Sequence, residues 1–232
     1  MGLTTEVNRI RETYSYRDHD PAIQAMWAPF TENEVLHRTQ QYWMLAKLFR
    51  SIHRVDLSDL KILDVGCGNG RVLRSFLDMG ASAKDLTGVD VHAGAIERAR
   101  LISPELDLWV SNGIDLEFPD GSFDVVTQFV VFSSIFSTDL RVRLAAEILR
   151  VVKSGGYILW WDIDKTAQSD SPVGLDPNEL FPGQRCRKFH VGLHRNPSNC
   201  VKVPRTFNWL LPLLDILGYR KTHIAALVGP IS

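Results

Sequence analysis

Three features are scarce in this sequence, and each scarcity excludes a class of protein. The 232 residues include three cysteines, too few and too scattered for a disulfide framework and without the C-x-x-C spacing of a zinc or redox site. No apolar run reaches the roughly 18 to 20 residues of a membrane-spanning helix. The formal net charge of −1 provides no overall field to attract nucleic acid or an anionic membrane.

The start of the sequence, together with these scarcities, predicts the compartment in which the protein acts. The first helical stretch carries Glu6, Arg9, Arg11 and Glu12 where a signal peptide needs an apolar core. We therefore expect a cytoplasmic protein with neither nucleic acid nor a membrane as partner. No pattern in the sequence indicates an oligomeric state.

Hydrophobic residues make up 45% of the chain, enough for one sizeable core. From residue 60 onwards, short apolar runs alternate with amphipathic segments, which is typical of βαβ units and a parallel sheet. The predicted strands are 61–65, 86–91, 108–111, 123–129 and 157–163, and the predicted helices are 71–79, 93–102 and 138–152. Gly155 and Gly156 are expected to end the last of these helices.

The flanking segments have a different pattern. Residues 1–57 form a predicted helical lid, in which 34–52 has helical periodicity, and residues 58–232 form the main domain. Within that domain, 165–210 is a predicted cap loop and helix insertion. Beyond residue 164 we predict a polar loop at 166–177, strands at 185–194 and 222–229, and a helix at 207–217.

The strongest motif is the run Asp64-Val65-Gly66-Cys67-Gly68-Asn69-Gly70 at the end of the first strand. Alternate glycines let the backbone turn sharply and approach a ligand closely. A dinucleotide fingerprint would need its third glycine where Arg71 stands. The acid two residues before the first glycine instead suits a ligand with an ammonium group.

Two further motifs follow at the spacing of a nucleoside site. Asp90 ends the second strand, where a carboxylate accepts hydrogen bonds from both hydroxyls of a ribose. Asn112 follows the third strand and can accept from the exocyclic amine of an adenine, while Ile114 covers the ring.

With these motifs the chain resembles the class I S-adenosylmethionine-dependent methyltransferases, and within them the type 11 group, over residues 60–162. The resemblance implies a Rossmann-like α/β fold with helices on both faces of a seven-stranded, mostly parallel sheet that has one antiparallel strand. It places the cofactor across the carboxyl ends of the first, second and fourth strands. The family usually has Asp where Asn112 stands and Pro where Ser154 stands.

The resemblance also implies a role for each matching position. The methionine end of the cofactor is assigned to Asp64, Gly66, Cys67, Gly68 and Gly70, the ribose to Asp90 and Val91, and the adenine to Asn112, Gly113 and Ile114. Gln128 and Phe129 would line the methionine and the acceptor, and Tyr16 is a further candidate contact from the lid. Cys67 is expected to pack rather than to act as a nucleophile.

The expected reaction transfers a methyl group to a small-molecule acceptor and leaves S-adenosylhomocysteine. Hydroxyls of a sugar, glycan precursor or secondary metabolite are the favoured acceptors, and Asp162 is the candidate general base. Other candidate bases are His92, Tyr14, Tyr16, Asp18 and His19. The cationic run at 185–195 is interpreted as a solvated strand face, with the binding of an anionic acceptor as the alternative. The histidine spacing predicts no metal site.

Two alternatives stay open at this point. A nicotinamide-dependent oxidoreductase could use a similar sheet, although Arg71 disfavours it. A non-catalytic protein could keep the fold and the S-adenosylmethionine site without the activity. Calorimetry with each cofactor separates the first alternative from a methyltransferase.

Overall fold

A computed structural model describes residues 2–26, 28, 31–164, 174–191 and 223–231. Seven strands in these ranges form one sheet. They are β1 (Ile62–Val65), β2 (Leu86–Asp90), β3 (Asp107–Val110), β4 (Phe123–Phe129), β5 (Val152–Ile163), β6 (Cys186–Val191) and β7 (His223–Val228).

The strand order is β3-β2-β1-β4-β5-β7-β6. Strands β1 to β5 are parallel to one another, and β7 is antiparallel to both β5 and β6. This confirms the predicted seven-stranded sheet with one antiparallel strand. The connections run outward in opposite directions from β1 and β4, so a crevice opens at the carboxyl ends of these two strands.

Seven helices are described around the sheet. They are α1 (Leu3–His19), α2 (Pro21–Met26), α3 (Glu32–Arg50), α4 (Arg71–Asp78), α5 (Ala93–Ile102), α6 (Thr138–Val151) and α7 (Pro177–Leu180). Thr31 caps α3 by accepting the Glu34 N–H, and Ser137 caps α6 by accepting the Leu140 N–H. None of the described helices is both long enough and apolar enough to cross a bilayer.

Alternation along the buried strands divides the core between the two faces of the sheet. Ile62 and Trp161 lie in the cluster that includes residues of α3, α4 and α5, whereas Leu63 and Trp160 lie in the cluster that includes residues of α6. The two adjacent tryptophans are therefore core residues on opposite faces, as strand geometry predicts. Helices cover both faces, which is why β1, β2 and β4 are almost entirely buried.

The prediction for Gly155 and Gly156 was wrong. Helix α6 ends at Val151 and β5 begins at once with Val152, so both glycines lie inside the strand. The register with β4 slips there, from Phe123 opposite Val152 to Val125 opposite Tyr157. Gly155 adopts a φ of 80°, which lets the irregular stretch turn into the regular strand. The predicted helix at 207–217 lies outside the described residues.

A tight contact between strand and loop gives a first testable prediction. A methyl group at Gly88 would come within 2.8 Å of the side chains of Cys67, Leu73 and Leu108. We expect Gly88→Ala to lower the free energy of unfolding by about 1–3 kcal/mol because the core is overpacked. Denaturant unfolding measures the change.

Gly94→Ala is the matched control. Gly94 lies near the start of α5, and a methyl group there would approach nothing closer than 3.4 Å. Alanine favours helix, so stability should stay the same or rise by less than about 1 kcal/mol. Equal losses in both variants would contradict the packing argument.

Candidate active site

The glycine loop leaves β1 and closes over the end of β2. The N–H groups of Gly66 and Cys67 donate to the Val89 carbonyl at 2.8 and 3.0 Å. Gly66 has a φ of 74°, and a Cβ there would lie 2.3 Å from Val131 Cγ2. Gly68 has a φ of 54° with nothing within 4 Å of the Cβ position, so the loop presents bare backbone to open space.

Asp64 lies beneath this loop and is 1% exposed. Its Oδ1 accepts from Thr127 Oγ1 at 2.7 Å, but Oδ2 is buried without a hydrogen-bond partner among the described residues. Burial, with a smaller contribution from the charge of Asp90, raises the pKa of Asp64 to about 7. The carboxyl group therefore has an unfilled acceptor position at the carboxyl end of β1.

Asp90 ties the glycine loop to the end of β2. Its Oδ2 accepts the Gly68 N–H and its Oδ1 accepts the His92 N–H, both at 2.8 Å. Burial raises the pKa of Asp90. Each oxygen of a carboxylate can accept a second bond, so the group can still receive the two hydroxyls of a ribose.

The loop after β3 is held by its own polar side chains. Asn112 Oδ1 accepts the Ile114 N–H at 3.1 Å, and Ser111 Oγ accepts the Gly113 N–H at 3.2 Å. Gly113 has a φ of 77°. Asn112 is exposed and Ile114 is buried, so an amide oxygen and an apolar side chain are fixed within one short turn.

At the end of β4, Gln128 is fully buried. Its Oε1 accepts the Val131 N–H at 3.1 Å, so its amide supports the following loop. Phe129 stacks on Trp161 with ring centroids 5.9 Å apart. The predicted contacts of Gln128 and Phe129 with the cofactor stay predictions.

We call residues 130–137 the β4–α6 loop. Besides its contact with Gln128, this loop is hydrogen-bonded to Asp162 of β5. This carboxyl group is fully buried; its Oδ2 accepts the Ser133 N–H at 3.3 Å and its Oδ1 accepts the Ile163 N–H at 2.8 Å. Burial raises the pKa of Asp162 to about 6. The sequence placed Asp162 correctly at the end of β5, but its support of this loop was not anticipated.

Helix α1 crosses the carboxyl edge of the sheet. Arg11 Nε donates to the Val91 carbonyl at 3.0 Å, and Asp18 accepts from Arg98 and lies 2.8 Å from His92 Nε2. Asp18 and His92 were separate candidate bases in the sequence, and the structure makes them a pair. Their separation of 74 positions leaves no local signal of that contact.

A cavity of about 530 Å³ lies between the first half of α1 and the loop after β3. Val7 and Arg11 line it from the helix, and Ser111 and Asn112 line it from the loop. The predicted adenine position is therefore covered on one side by α1. Tyr16 is 64% exposed and its hydroxyl donates to Asp20 at 2.6 Å, so its described contact stays within the helical segment.

Cys67 is buried, and burial raises the pKa of its thiol well above the usual value. A thiol with a raised pKa is a poor nucleophile, in agreement with the predicted packing role. The described part of the chain contains no group of three or more potential metal ligands.

Arg71 begins α4 and donates to Glu34 of α3. The helix end that would bind a pyrophosphate in a dinucleotide site thus carries an arginine already paired with a carboxylate. This arrangement disfavours the oxidoreductase alternative.

The cationic run after residue 184 is largely engaged within the chain. Lys188 pairs with Asp176, His190 Nδ1 lies 2.5 Å from Asp164, and Arg187 donates to the Ser51 carbonyl at 2.8 Å. Arg185 is exposed. Residues 192–195 of the predicted run lie outside the described residues.

The hydrogen-bond acceptors of Asp64 and Asp90 fit S-adenosylmethionine, the cofactor that the sequence resemblance implies. An ammonium group would supply the missing donor and the opposite charge to Asp64, and a ribose diol would use the free acceptor positions of Asp90. The exposed backbone at Gly68 leaves room for such a ligand.

The buried Asp64 gives a prediction for stability against pH. Its folded pKa of about 7 exceeds the value of about 3.8 in an unfolded chain, so the folded state holds a proton that the unfolded state has lost between these values. Stability should therefore fall as the pH rises through this window, by about 1.4 kcal/mol for each unit of pKa difference. In Asp64→Asn this part of the decline should disappear, and at pH 8 the variant should be more stable than the wild type.

Denaturant unfolding between pH 5 and 8, without ligand, measures this difference. Asp162 and Asp90 contribute slopes of the same sign to both proteins, so only the difference is informative. Asp115→Asn, which alters an exposed carboxylate, is the control and should follow the wild-type curve. Parallel curves for Asp64→Asn and the wild type would contradict the raised pKa.

Comparisons with known proteins agree with this geometry. Residues 63–160 match a family model described as a methyltransferase domain. Demethylmenaquinone methyltransferase of Symbiobacterium thermophilum is 37% identical over 112 residues, which cover 45% of this chain and 43% of the relative. Fatty-acid O-methyltransferase of Mycolicibacterium smegmatis is 30% identical over 151 residues, covering 64% and 51%.

A third relative acts on RNA. The tRNA (carboxymethyluridine(34)-5-O)-methyltransferase of Saccharomyces cerevisiae is 32% identical over 152 residues, covering 65% of this chain and 44% of the relative. The chain thus spans about half the length of the curated relatives it matches.

Solved structures share the fold. The PH0226 protein of Pyrococcus horikoshii OT3 superposes with a TM-score of 0.61 at 16% identity, covering 91% of this chain and 99% of that one. An S-adenosylmethionine-dependent methyltransferase of Mesorhizobium loti superposes with a TM-score of 0.55 at 16% identity, covering 79% and 95%. Residues 63–160, which hold the glycine loop and the central strands, therefore resemble a methyltransferase domain in sequence, and the sheet around them shares the fold of an S-adenosylmethionine-dependent methyltransferase.

Proposed function

We propose that this protein transfers a methyl group from S-adenosylmethionine to a hydroxyl of a small-molecule acceptor. The observation that carries the proposal is the buried oxygen of Asp64 that lacks a hydrogen-bond partner among the described residues. It lies at the carboxyl end of β1, beneath a glycine loop with bare backbone. A cationic amine is the group that completes such a site.

Within this function we assign each part of the site to one part of the cofactor. Asp64 and the loop from Gly66 to Gly70 hold the methionine end, Asp90 and Val91 the ribose, and the turn from Asn112 to Ile114 the adenine. The contacts that fix Asp90 and Asn112 in place support these roles, because a binding group held by the backbone loses little freedom when a ligand arrives.

The bound cofactor would supply an electrophilic methyl group, and the chain would supply alignment and exclusion of water. Helix α1 acts as the lid, since it spans the cleft from the end of β2 to the β4–α6 loop. Asp162 is better suited to supporting that loop than to accepting a proton, because both its oxygens accept backbone N–H groups and it is fully buried.

The acceptor class rests on the names of the relatives and on the charge of the chain. Two of the relatives are named for small molecules, a quinone and a fatty acid, and one is named for tRNA. The net charge of −1 favours a small molecule over a polyanion. Within the described part of the cationic run, Arg187, Lys188 and His190 have partners in the chain, which favours a structural role for these residues over the binding of an anionic acceptor.

Calorimetry with S-adenosylhomocysteine and with NAD tests the cofactor. We expect binding of the first and none of the second. Binding of NAD alone would refute the proposal. Transfer of a labelled methyl group to hydroxyl-bearing metabolites, with bulk tRNA as a parallel acceptor, then tests the acceptor class; label in tRNA alone would replace the small molecule.

Asp90→Ala should weaken the binding of S-adenosylhomocysteine by about 1–3 kcal/mol, or roughly 5- to 150-fold, because the ribose loses its acceptor. Asp90→Asn, which keeps one carbonyl oxygen for the backbone, should lose less. Calorimetric titration measures both dissociation constants.

Asp107→Ala is the control for that series. Asp107 is the first residue of β3, at the end of the strand away from Asn112, and it accepts from Thr87 at 3.2 Å. Its replacement should leave the dissociation constant unchanged. An unaltered affinity in Asp90→Ala would mean that the ribose binds elsewhere.

A further inference from the structure

We propose that Glu6 and Arg9 of α1 are positioning residues that hold the β4–α6 loop against the glycine loop, so that the N-terminal helix forms part of the cofactor site. This inference rests on the proposed function. It goes beyond a covering lid, because it predicts that the state of α1 sets the conformation of the loop on which the cofactor site depends.

Glu6 is a carboxylate in an unusual place for a helix at the edge of the molecule, since it is only 1% exposed. Its Oε1 accepts the Phe136 N–H at 2.5 Å and Arg9 Nη2 at 2.9 Å. Burial alone would raise the pKa of Glu6, but these hydrogen bonds outweigh it and hold the pKa below its usual value. The carboxylate is therefore bound tightly in its charged form.

Arg9 extends the contact along the loop. Its Nη2 donates to the Ser134 carbonyl at 2.5 Å, and its guanidinium lies 3.9 Å from the centre of the Phe136 ring. One turn further along α1, the Tyr14 hydroxyl lies 3.0 Å from Ser134 Oγ. Three side chains of α1 therefore contact the loop, and their contacts are with Ser134 and Phe136.

The other end of the loop meets the cofactor site. The Val131 side chain fills the space beside Gly66, and its N–H is held by Gln128 at 3.1 Å. Val130 has a φ of 60°, a left-handed conformation that is costly for a β-branched residue, by about 1–3 kcal/mol. Such strain persists only where surrounding contacts hold it. The Val130 N–H donates to the Trp161 carbonyl at 2.7 Å, and the Val130 carbonyl accepts from Ser134 Oγ, the atom that the Tyr14 hydroxyl of α1 contacts.

Two anchors belong to the domain itself. Asp162 accepts the Ser133 N–H at 3.3 Å, and Arg141 Nε donates to the Ile135 carbonyl at 2.6 Å. The loop is therefore fixed from beneath by β5 and α6 and from outside by α1. Removing only the outer anchor should loosen the loop without unfolding the sheet.

The test compares Glu6→Gln with Glu12→Gln. The second variant is the control, because it makes the same change at an exposed position on the same helix. Hydrogen exchange of peptides that cover residues 130–137 is measured with and without S-adenosylhomocysteine, and its dissociation constant is measured by calorimetry. We expect Glu6→Gln to speed exchange in this loop and to weaken binding by about 5- to 20-fold, within the usual range of coupling between sites. Glu12→Gln should match the wild type in both.

Arg9→Met is the second variant, since it leaves the Glu6 to Phe136 contact in place if Glu6→Gln fails to fold. It should show the same two effects to a smaller degree. In the wild type, S-adenosylhomocysteine should also slow exchange within α1, because coupling is reciprocal.

A lower melting temperature with unchanged loop exchange and unchanged affinity would overturn the proposal and leave Glu6 as a stabilising contact only. If the wild type does not bind S-adenosylhomocysteine, the proposed function fails. In that case, the hydrogen-exchange rate of residues 130–137 in the ligand-free variants still shows whether Glu6 holds the loop.

Discussion

The hydrogen bond from Thr127 Oγ1 to Asp64 Oδ1 joins the two central strands at the point where the sheet reverses its winding. Because β1 and β4 are neighbours there, their connections leave in opposite directions and a crevice opens above them. The bond fixes one oxygen of a buried acid and leaves the other without a partner among the described residues. The glycine loop follows directly after this strand, and its Gly66 packs against Val131 of the β4–α6 loop.

Several features at this centre lower the stability of the protein. Asp64 and Asp162 are both buried with raised pKa values, and Val130 holds a strained backbone conformation. Each of these is unfavourable in the protein without ligand. The two apolar clusters that cover the opposite faces of the sheet offset them. The sheet is thus stable enough to hold these unfavourable groups in place before any ligand binds.

Local patterns were sufficient for much of this architecture. The strand before Asp64, the alternate glycines, Asp90 and the helix at Ala93–Ile102 could be predicted because each depends on residues close in sequence. The contact of Glu6 with Phe136 spans 130 positions and leaves no periodic trace. The same is true of Asp18 with His92. The early start of β5 was missed because glycines predict an end to a helix as readily as a bulge in a strand.

Strand β7 has a consequence for how this sheet is assembled. It pairs with Trp160 and Trp161 of β5 on one side and with β6 on the other, although it follows both in the chain. During synthesis on the ribosome, β5 therefore has an unpaired apolar edge until residues 223–228 emerge. Such an edge is prone to pair with other chains. The late strand therefore lengthens the time for which the nascent chain is open to such pairing.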